Sequence, residues 1–275
     1  MDKNLDLSNV GIVYNSEIEG SKDFAARVSC CFFENKLTTS KPNVFNMQNM
    51  PDDLTFAIAI GGDGTLLKCA RYYSGLNVPV FGFNMGRLGY LSQALPSELD
   101  FVIEKIKNKD FRIEERLMLK SSAGSVALND MVVKKELNAR TSVLDLYINE
   151  KPVCSYMADG LIISTPTGST AYALSAGGPV ISPDINCFLI VPICPHTLNA
   201  RPVVVNSNEN LTVRICENTE YQIASDGQEI KMFKNEVTIK KYENCAKLLL
   251  LNKEKQDFYR ILRQKLHWGV APHKC

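Results

Sequence analysis

The sequence lacks the features that mark membrane, secreted and nucleic-acid-binding proteins. Its longest apolar stretch, around Cys187–Cys194, contains a proline and is far shorter than the about 20 residues of a membrane span. Thirty-one basic and 30 acidic residues give a net charge of +1, so no basic surface for nucleic acid is expected. Residues 1–6 lack the apolar core of a signal peptide. We therefore expect neither a membrane nor a nucleic acid as a partner.

Metal-binding and disulfide frameworks are also absent from the sequence. The nine cysteines are odd in number and scattered, no CxxC pair occurs, and Cys30 and Cys31 are adjacent. The histidines, His196, His267 and His273, do not have the spacing of metal ligands. We expect reduced thiols in a cytoplasmic protein, a structural role for His196, and no protein metal ligands.

The first 90 or so residues alternate between strand-like and helix-like patterns. Apolar runs typical of buried strands alternate with segments whose apolar residues have helical spacing. This alternation predicts a parallel sheet covered on both faces by helices. The predicted strands are Val10–Tyr14, Val44–Phe45, Phe56–Ile60 and Val78–Phe83, and the predicted helices are Phe24–Phe33 and Leu66–Tyr73.

After Pro96 the pattern changes to one amphipathic helix, Leu99–Ile106, followed by short strands. The predicted strands are Met118–Ser121, Val126–Leu128, Val143–Ile148, Leu161–Ser164, Phe188–Ile193, Val203–Val205, Leu211–Cys216 and Val237–Tyr242. Asn149-Glu150-Lys151 and Asp226-Gly227 are predicted hairpin turns. The predicted fold class is α/β. A doubly wound N-terminal domain of residues 1–95, completed by a helical tail at 257–275, precedes a β-rich domain of residues 96–256. The active site is expected in the cleft between them.

A glycine-rich turn is the most informative local feature. Gly61, Gly62, Asp63, Gly64 and Thr65 join the strand that ends at Ile60 to the following helix. Glycines allow backbone N–H groups to approach a phosphate, and a helix N-terminus favours negative charge. The turn therefore favours phosphoryl transfer or nucleotide binding. The alternative is a tight structural turn in which Asp63 caps the helix.

A second informative segment runs from Asp159 to Pro179. An apolar strand leads into the turn Ser164-Thr165-Pro166-Thr167-Gly168-Ser169-Thr170, and a helix of small residues capped by Ser169 or Thr170 is predicted to end at Gly177-Gly178. Hydroxyl and N–H groups together suit ribose and phosphate oxygens. The alternative is a capped, tightly packed helix that binds nothing.

These segments, taken in order, resemble the bacterial NAD kinases. The resemblance rests on residues 61–65, Asn84–Leu91, Leu128–Asp130, 159–179, His196–Pro202 and Leu262–Gly269, and covers about 55–269. It implies transfer of the γ-phosphoryl group of ATP, or of polyphosphate, to the 2′-hydroxyl of the adenosine ribose of NAD. Asp63 is then the general base or acts through the magnesium ion, while Gly61, Gly62, Gly64 and Thr65 bind phosphate.

The resemblance also implies a set of NAD-binding residues. Besides Asp63 and Gly64, the matching positions are Lys68, Tyr90, Asn129, Asp130, Arg140, Asp159, Thr170, Ala171, Tyr172, Ser175 and Gln228. Asp130 stands where the family has Glu, which shortens its reach, and Met157 replaces a basic residue found in some members. Lys68, Arg140 and Gln228 can equally be surface residues.

Further properties follow from the resemblance alone. They are a Mg²⁺ or other divalent cation not held by a dedicated protein cage, a homodimer or homotetramer, and a cytoplasmic location. Two other functions remain open: a kinase of a lipid or sugar that shares only the 61–65 turn, and a nucleotide-binding regulator without activity. The 159–179 segment argues against the first, and Asp63 among its glycines argues against the second.

Overall fold

The computed structural model describes residues 5–86, 89–135, 142–215, 220–252 and 258–266. The strands are β1 Val10–Tyr14, β2 Asn43–Asn46, β3 Phe56–Gly61, β4 Val80–Asn84, β5 Phe111–Arg116, β6 Leu119–Ser121, β7 Val126–Ala127, β8 Asp130–Lys135, β9 Ser142–Ile148, β10 Lys151–Ala158, β11 Gly160–Ser164, β12 Cys187–Ile193, β13 Val203–Asn206, β14 Leu211–Ile215, β15 Tyr221–Ser225, β16 Glu229–Phe233, β17 Glu236–Lys241 and β18 Ala246–Leu251. The α-helices are α1 Ser21–Glu34, α2 Asp63–Ser74, α3 Leu99–Lys107, α4 Tyr172–Ser175 and α5 Phe258–Leu266.

The chain divides into two compact units. The first unit comprises Met1–Glu114 and Lys247–Cys275, and the second comprises Glu115–Ala246. No helix within the described ranges is long and apolar enough to cross a membrane.

The first unit is built on one sheet with the order β2-β1-β3-β4-β18-β5. The pairs β1–β2, β1–β3, β3–β4 and β4–β18 are parallel. Phe81 and Phe83 share a core with α1 and α3, and Phe24 meets Phe83 edge to face at 5.2 Å. Gly82, between them, points to the opposite face, where a Cβ would lie 2.9 Å from Leu66 of α2. Helices therefore cover both faces, as predicted.

The second unit consists of two antiparallel sheets, ordered β10-β9-β14-β17-β6-β7 and β13-β12-β11-β8-β15-β16. Alternate residues of both sheets, such as Val133, Ile163, Leu146 and Val213, are buried in one shared core. The expected hairpin turns are present: Asn149 and Glu150 join β9 to β10, and Asp226 with Gly227 joins β15 to β16. All four residues have positive φ.

The unit boundaries differ from the predicted division at residues 95 and 96. The first unit continues through α3 and β5 because Leu99, Val102, Ile103 and Phe111 belong to the core of the parallel sheet. It resumes at Lys247, since Leu249 and Leu251 of β18 are buried in the same core. An apolar run late in the chain therefore completes a sheet begun by its first residues. Residues 257 and 267–275 of the predicted tail lie outside the described residues.

Candidate active site

The glycine turn lies at the carboxyl end of β3, as predicted for a ligand site of a parallel sheet. Gly61 ends β3 opposite Asn84, the last residue of β4. A Cβ on Gly61 would lie 2.1 Å from Thr65 Oγ1, so the tight turn requires glycine there. Helix α2 begins at Asp63 with Gly62 as its N-cap. The alternative that Asp63 is merely the cap is therefore wrong.

The Asp63 carboxylate is held by three hydrogen bonds. The Tyr90 N–H donates to Oδ2 at 2.8 Å, while the Ser92 hydroxyl and N–H donate to Oδ1 at 2.7 and 3.3 Å. A Cβ on Gly89 would lie 1.9 Å from Oδ1. Only glycine at position 89 allows the 89–92 backbone to approach the carboxylate this closely.

Main-chain hydrogen bonds fix the residues on either side of this contact. Met85 N–H donates to the Gly61 carbonyl at 2.9 Å, and Asn84 N–H donates to the Ala94 carbonyl at 2.8 Å. Ser92, which is 3% exposed, lies close before Ala94 and contacts Asp63. Sequence reasoning missed Ser92, although its place directly after the Gly89–Leu91 block was a usable signal.

Tyr90 and Lys68, both predicted to contact NAD, lie in the same unit as Asp63. Tyr90 is half-buried, and the Lys265 ammonium of α5 lies 6.0 Å from its ring centroid. Burial and the nearby Asp63 charge raise the pKa of the Tyr90 phenol, which therefore stays neutral at physiological pH. Lys68 is half-buried on α2.

In the second unit, Asn129 of the predicted pair directly precedes β8, and Asp130 is the first residue of that strand. The Asp226 carboxylate accepts the N–H groups of Leu128, Asn129 and Asp130 at 3.0, 2.7 and 3.2 Å. The Asp226 N–H in turn donates to the Asp130 carbonyl at 2.9 Å. The sequence indicated Asp226 only as a turn residue, and this role of its carboxylate was missed.

The hydroxyl-rich turn packs against the other side of the 128–130 backbone. The Thr165 hydroxyl donates to the Leu128 carbonyl at 2.6 Å, and the Thr165 N–H donates to the Asn129 carbonyl at 2.8 Å. A Cβ on Gly168 would lie 2.1 Å from the Asn129 carbonyl oxygen, so glycine is required there. Leu128–Asp130 and the 159–179 segment, both part of the family resemblance, are thus in direct contact. Arg116, also missed, donates to the Thr167 hydroxyl at 3.3 Å.

The predicted helix after this turn is wrong in its extent. Residues Thr167–Thr170 form a 3₁₀ turn, the helical conformation is interrupted at Ala171, and α4 has four residues. Ser169 is not a helix cap, since its hydroxyl donates to the Pro166 carbonyl at 2.7 Å and accepts the Ile181 N–H at 3.0 Å. The predicted end at Gly177-Gly178 is confirmed, because their N–H groups bond the Leu174 and Ala173 carbonyls.

Asp130 is a buried acid with a shifted pKa. It is 4% exposed, and burial together with the Asp226 charge raises its pKa to about 7, against the lowering effect of the Tyr172 N–H that it accepts. A carboxylate in an apolar, like-charged environment favours its protonated form.

The remaining predicted residues lie nearer the surface of the second unit. Asp159 and Tyr172 are exposed, and His196 Nε2 lies 3.9 Å from Asp159 Oδ1. Thr170 and Ala171 are half-buried, while Ser175 and Gln228 are exposed. Arg140 lies outside the described residues. Within the described ranges, no three His, Cys, Asp or Glu side chains are grouped to hold a metal ion.

Comparisons with known proteins agree with this arrangement. Residues 3–111 match the family model of the ATP-NAD kinase N-terminal domain, and residues 128–249 match that of the ATP-NAD kinase C-terminal domain. The NAD kinase of Geobacter metallireducens is 38% identical over 81% of this chain and 82% of its own. That of Clostridium botulinum is 34% identical over 95% and 97%. The crystal structure of an NAD kinase from Archaeoglobus fulgidus in complex with ATP has a TM-score of 0.78 at 28% identity, over 94% of this chain and 98% of its own.

Proposed function

The chain belongs to the NAD kinase family and phosphorylates NAD with ATP, and we propose that Asp63 is the general base of this reaction. Its carboxylate takes the proton of the 2′-hydroxyl of the adenosine ribose. The 2′-oxygen forms a bond to the γ-phosphorus of ATP as the bond from that phosphorus to the β–γ bridging oxygen breaks. NADP and ADP are the products. The observation that carries this proposal is the set of three hydrogen bonds that fixes Asp63 at the end of β3.

The hydrogen bonds of Asp63 leave room for a proton. A carboxylate offers about four lone-pair positions. Oδ1 accepts two bonds from Ser92, whereas Oδ2 accepts one, from Tyr90, among the described contacts. We infer that Oδ2 receives the ribose proton, while the Ser92 donors hold the group in place. Such general-base assistance is worth about 10²–10⁴-fold in rate.

The phosphates of ATP are assigned to the glycine turn. Gly61, Gly62, Gly64 and Thr65 lie at the N-terminus of α2, where backbone N–H groups and the helix dipole favour anions. A divalent cation fits the donor set here, because Mg²⁺ is commonly held by one or two carboxylates together with substrate phosphates. Asp63 would hold the cation in the alternative in which it acts through Mg²⁺ and not as the base, and in either case the cation would neutralise charge on the phosphates. Inorganic polyphosphate presents the same phosphate chemistry and stays a proposed second donor.

The NAD-binding residues are assigned to the second unit and to Tyr90 and Lys68 of the first. Asn129 and Asp130 are proposed to hold the bound NAD, and Tyr172 and Ser175 to line the dinucleotide pocket with Thr170 and Ala171. Asp159 is proposed at the nicotinamide end, with Arg140 and Gln228 as further contacts. Support comes from the direct packing of the 165–168 turn on residues 128–130. The placement of the site between the two units stays a prediction.

We further propose a cytoplasmic homodimer or homotetramer. Apolar side chains are exposed on the edge strands β13 and β16, namely Val203, Val204, Ile230 and Met232. Exposed edge strands of this kind can pair with a second copy of the chain. Sedimentation equilibrium tests the proposal, which predicts a mass of two or four chains.

The function is tested by incubating purified protein with NAD, Mg²⁺ and ATP, with polyphosphate in parallel, and measuring NADP. Wild-type protein is expected to form NADP with ATP, and Asp63→Asn to lose at least about a hundredfold in kcat. The variant should still bind NAD in calorimetry, because the base lies on α2 and the pair Asn129–Asp130 is intact.

Two results would contradict the proposal. NAD binding by the wild-type protein without NADP from either donor would indicate a regulator. Absence of NAD binding would point to another phosphate acceptor.

A further inference from the structure

We propose that Asp226 is a positioning residue for NAD, one that fixes the Asn129–Asp130 pair through the backbone. Its carboxylate accepts three consecutive N–H groups, at 2.7–3.2 Å, from Leu128, Asn129 and Asp130. These residues lie 96–98 positions earlier in the chain. The inference rests on the proposed function, since it assigns Asp226 to the NAD-binding part of the same site.

The 128–130 backbone is held from both sides. Asp226 accepts hydrogen bonds from its N–H groups, whereas Thr165 donates to its carbonyls. The Thr165 hydroxyl donates to the Leu128 carbonyl at 2.6 Å, and the Thr165 N–H donates to the Asn129 carbonyl at 2.8 Å. The Ser164 hydroxyl also donates to the Asn129 carbonyl, at 3.2 Å. With its main-chain groups satisfied in this way, the segment presents the side chains of Asn129 and Asp130 in one orientation. Preorganisation of this kind lowers the cost of binding a ligand.

The charge of Asp226 is as important as its geometry. Oδ1 accepts the Asn129 and Asp130 N–H groups, and Oδ2 accepts the Leu128 N–H. In an asparagine at this position one of the two oxygens becomes an NH₂ group, which would face an N–H donor. Aspartate is therefore the side chain of this length that satisfies all three donors.

Asp226 also acts electrostatically on the side chain that it positions. The pKa of Asp130 is raised to about 7, first by burial and then by the Asp226 charge, while the Tyr172 N–H from α4 opposes the rise. Removal of the Asp226 charge should lower the pKa of Asp130. The pH dependence of NAD binding then moves to lower pH, whichever form of Asp130 binds NAD.

The test compares steady-state kinetics of Asp226→Asn with those of the wild-type enzyme, with NAD and ATP varied in turn. The expected result is a rise in the KM for NAD of at least about tenfold, with kcat and the KM for ATP within about twofold. The pH profile of kcat/KM for NAD should shift to lower pH. In Asp130→Asn the change of kcat/KM for NAD with pH that shifts in Asp226→Asn should be absent. Its absence would assign that pH dependence to Asp130.

A second variant keeps the test independent of the folding of Asp226→Asn. Thr165→Val removes the opposite set of side-chain bonds without a change in charge. It should raise the KM for NAD but leave the pH profile in place. Asn149→Ala is the matched control, because Asn149 is also a positive-φ hairpin residue whose side chain accepts a backbone N–H, that of Asn210 at 3.0 Å. It should leave all parameters unchanged.

Three outcomes would overturn the inference. The first is an unchanged KM for NAD in both Asp226→Asn and Thr165→Val. The second is a folded Asp226→Asn with an unmoved pH profile. The third is a similar rise in the KM for ATP, which would indicate a purely structural role. A wild-type protein that makes no NADP would overturn the proposed function itself, so the two failures are distinguishable.

Discussion

Asp63 in the first unit and Asp226 in the second use the same interaction for opposite purposes. Each carboxylate lies in a turn and accepts backbone N–H groups from a segment distant in sequence. At Asp63 the donors hold the acid, and Oδ2, which accepts one of the three bonds, is the atom that we propose receives the ribose proton. At Asp226 the acid holds the donors, with both oxygens engaged. We therefore propose that Asp63 reacts, whereas Asp226 fixes the backbone of residues 128–130.

Gly89, which faces Asp63, and Gly168, which faces Asn129, should have different effects when they are replaced. In Gly89→Ala the new Cβ would meet the end of the flexible Asp63 side chain, 1.9 Å from Oδ1. The carboxylate must rotate away and lose its donors. We expect kcat to fall at least about a hundredfold, with little change in the unfolding midpoint. Measurement of kcat and thermal unfolding checks this result.

Gly86→Ala is the control for Gly89→Ala, because its nearest contact would be Asn84 Oδ1 at an ordinary 3.8 Å. An equal loss of activity in both variants would mean that the segment as a whole, and not the contact with Asp63, matters.

Gly168→Ala should instead destabilise the protein. Its Cβ would meet backbone, the Asn129 carbonyl oxygen at 2.1 Å, which cannot rotate away. Forcing an atom into such a site typically costs about 1–3 kcal/mol of unfolding free energy, and we expect the upper part of this range. The KM for NAD should also rise, because Asn129 moves. Urea denaturation measures the loss.

Gly62→Ala is the stability control for Gly168→Ala, since no atom lies within 4 Å of its added Cβ. If Gly168→Ala were as stable as the wild type, the packing of the 165–168 turn on Asn129 would be incorrect.

Ser92→Ala tests how much the donors of Asp63 contribute. It removes the hydroxyl that donates to Oδ1 at 2.7 Å but keeps the Ser92 and Tyr90 N–H groups. A hydrogen bond to a charged group is worth about 1.5–3 kcal/mol, so kcat should fall about tenfold or somewhat more. The KM for NAD should stay the same. Ser92→Thr keeps the hydroxyl and should retain most of the activity, whereas equal losses in both variants would contradict the role of this bond.

Asp130→Asn should change how stability depends on pH. The pKa of Asp130 is about 3.8 in the unfolded chain and about 7 in the folded one. Between these values the folded state binds more protons, so this group lowers the free energy of unfolding as pH rises, and the loss is complete above about pH 7. The free energy of unfolding of Asp130→Asn, relative to that of the wild type, should therefore rise by more than about 1 kcal/mol between about pH 4 and pH 8.

Urea denaturation of both proteins across this range gives the difference directly. A constant difference between Asp130→Asn and the wild type would contradict the raised pKa.

The sequence predicted the parts of this molecule that are encoded locally. The strand, glycine turn and helix around Asp63 follow from neighbouring residues, and so do the hairpins at Asn149 and Asp226. Edge strands such as β10 and β16 were missed, because their residues are mostly exposed and lack apolar alternation. The strand β18 was missed although it is apolar, since its partner β4 lies more than 160 residues earlier in the chain.

The same limit applies to the site. Asp63 and Asn129–Asp130 stand in recognisable segments, but Ser92 and Asp226 act through contacts 29 and 96–98 residues away. No local pattern distinguishes Asp226 from an ordinary turn aspartate, because its role depends on the sheet that pairs β15 with β8. The predicted helix after Thr170 failed for a related reason: Ser169 bonds Ile181 and does not cap a helix.

The two roles are tested most directly by kcat and the KM for NAD of Asp63→Asn and Asp226→Asn, measured side by side with ATP saturating. Asp63→Asn is expected to lose at least about a hundredfold in kcat and to keep its affinity for NAD. Asp226→Asn should keep kcat and lose affinity for NAD at least about tenfold. Loss of the same parameter in both variants would contradict the division between a carboxylate that reacts and a carboxylate that positions.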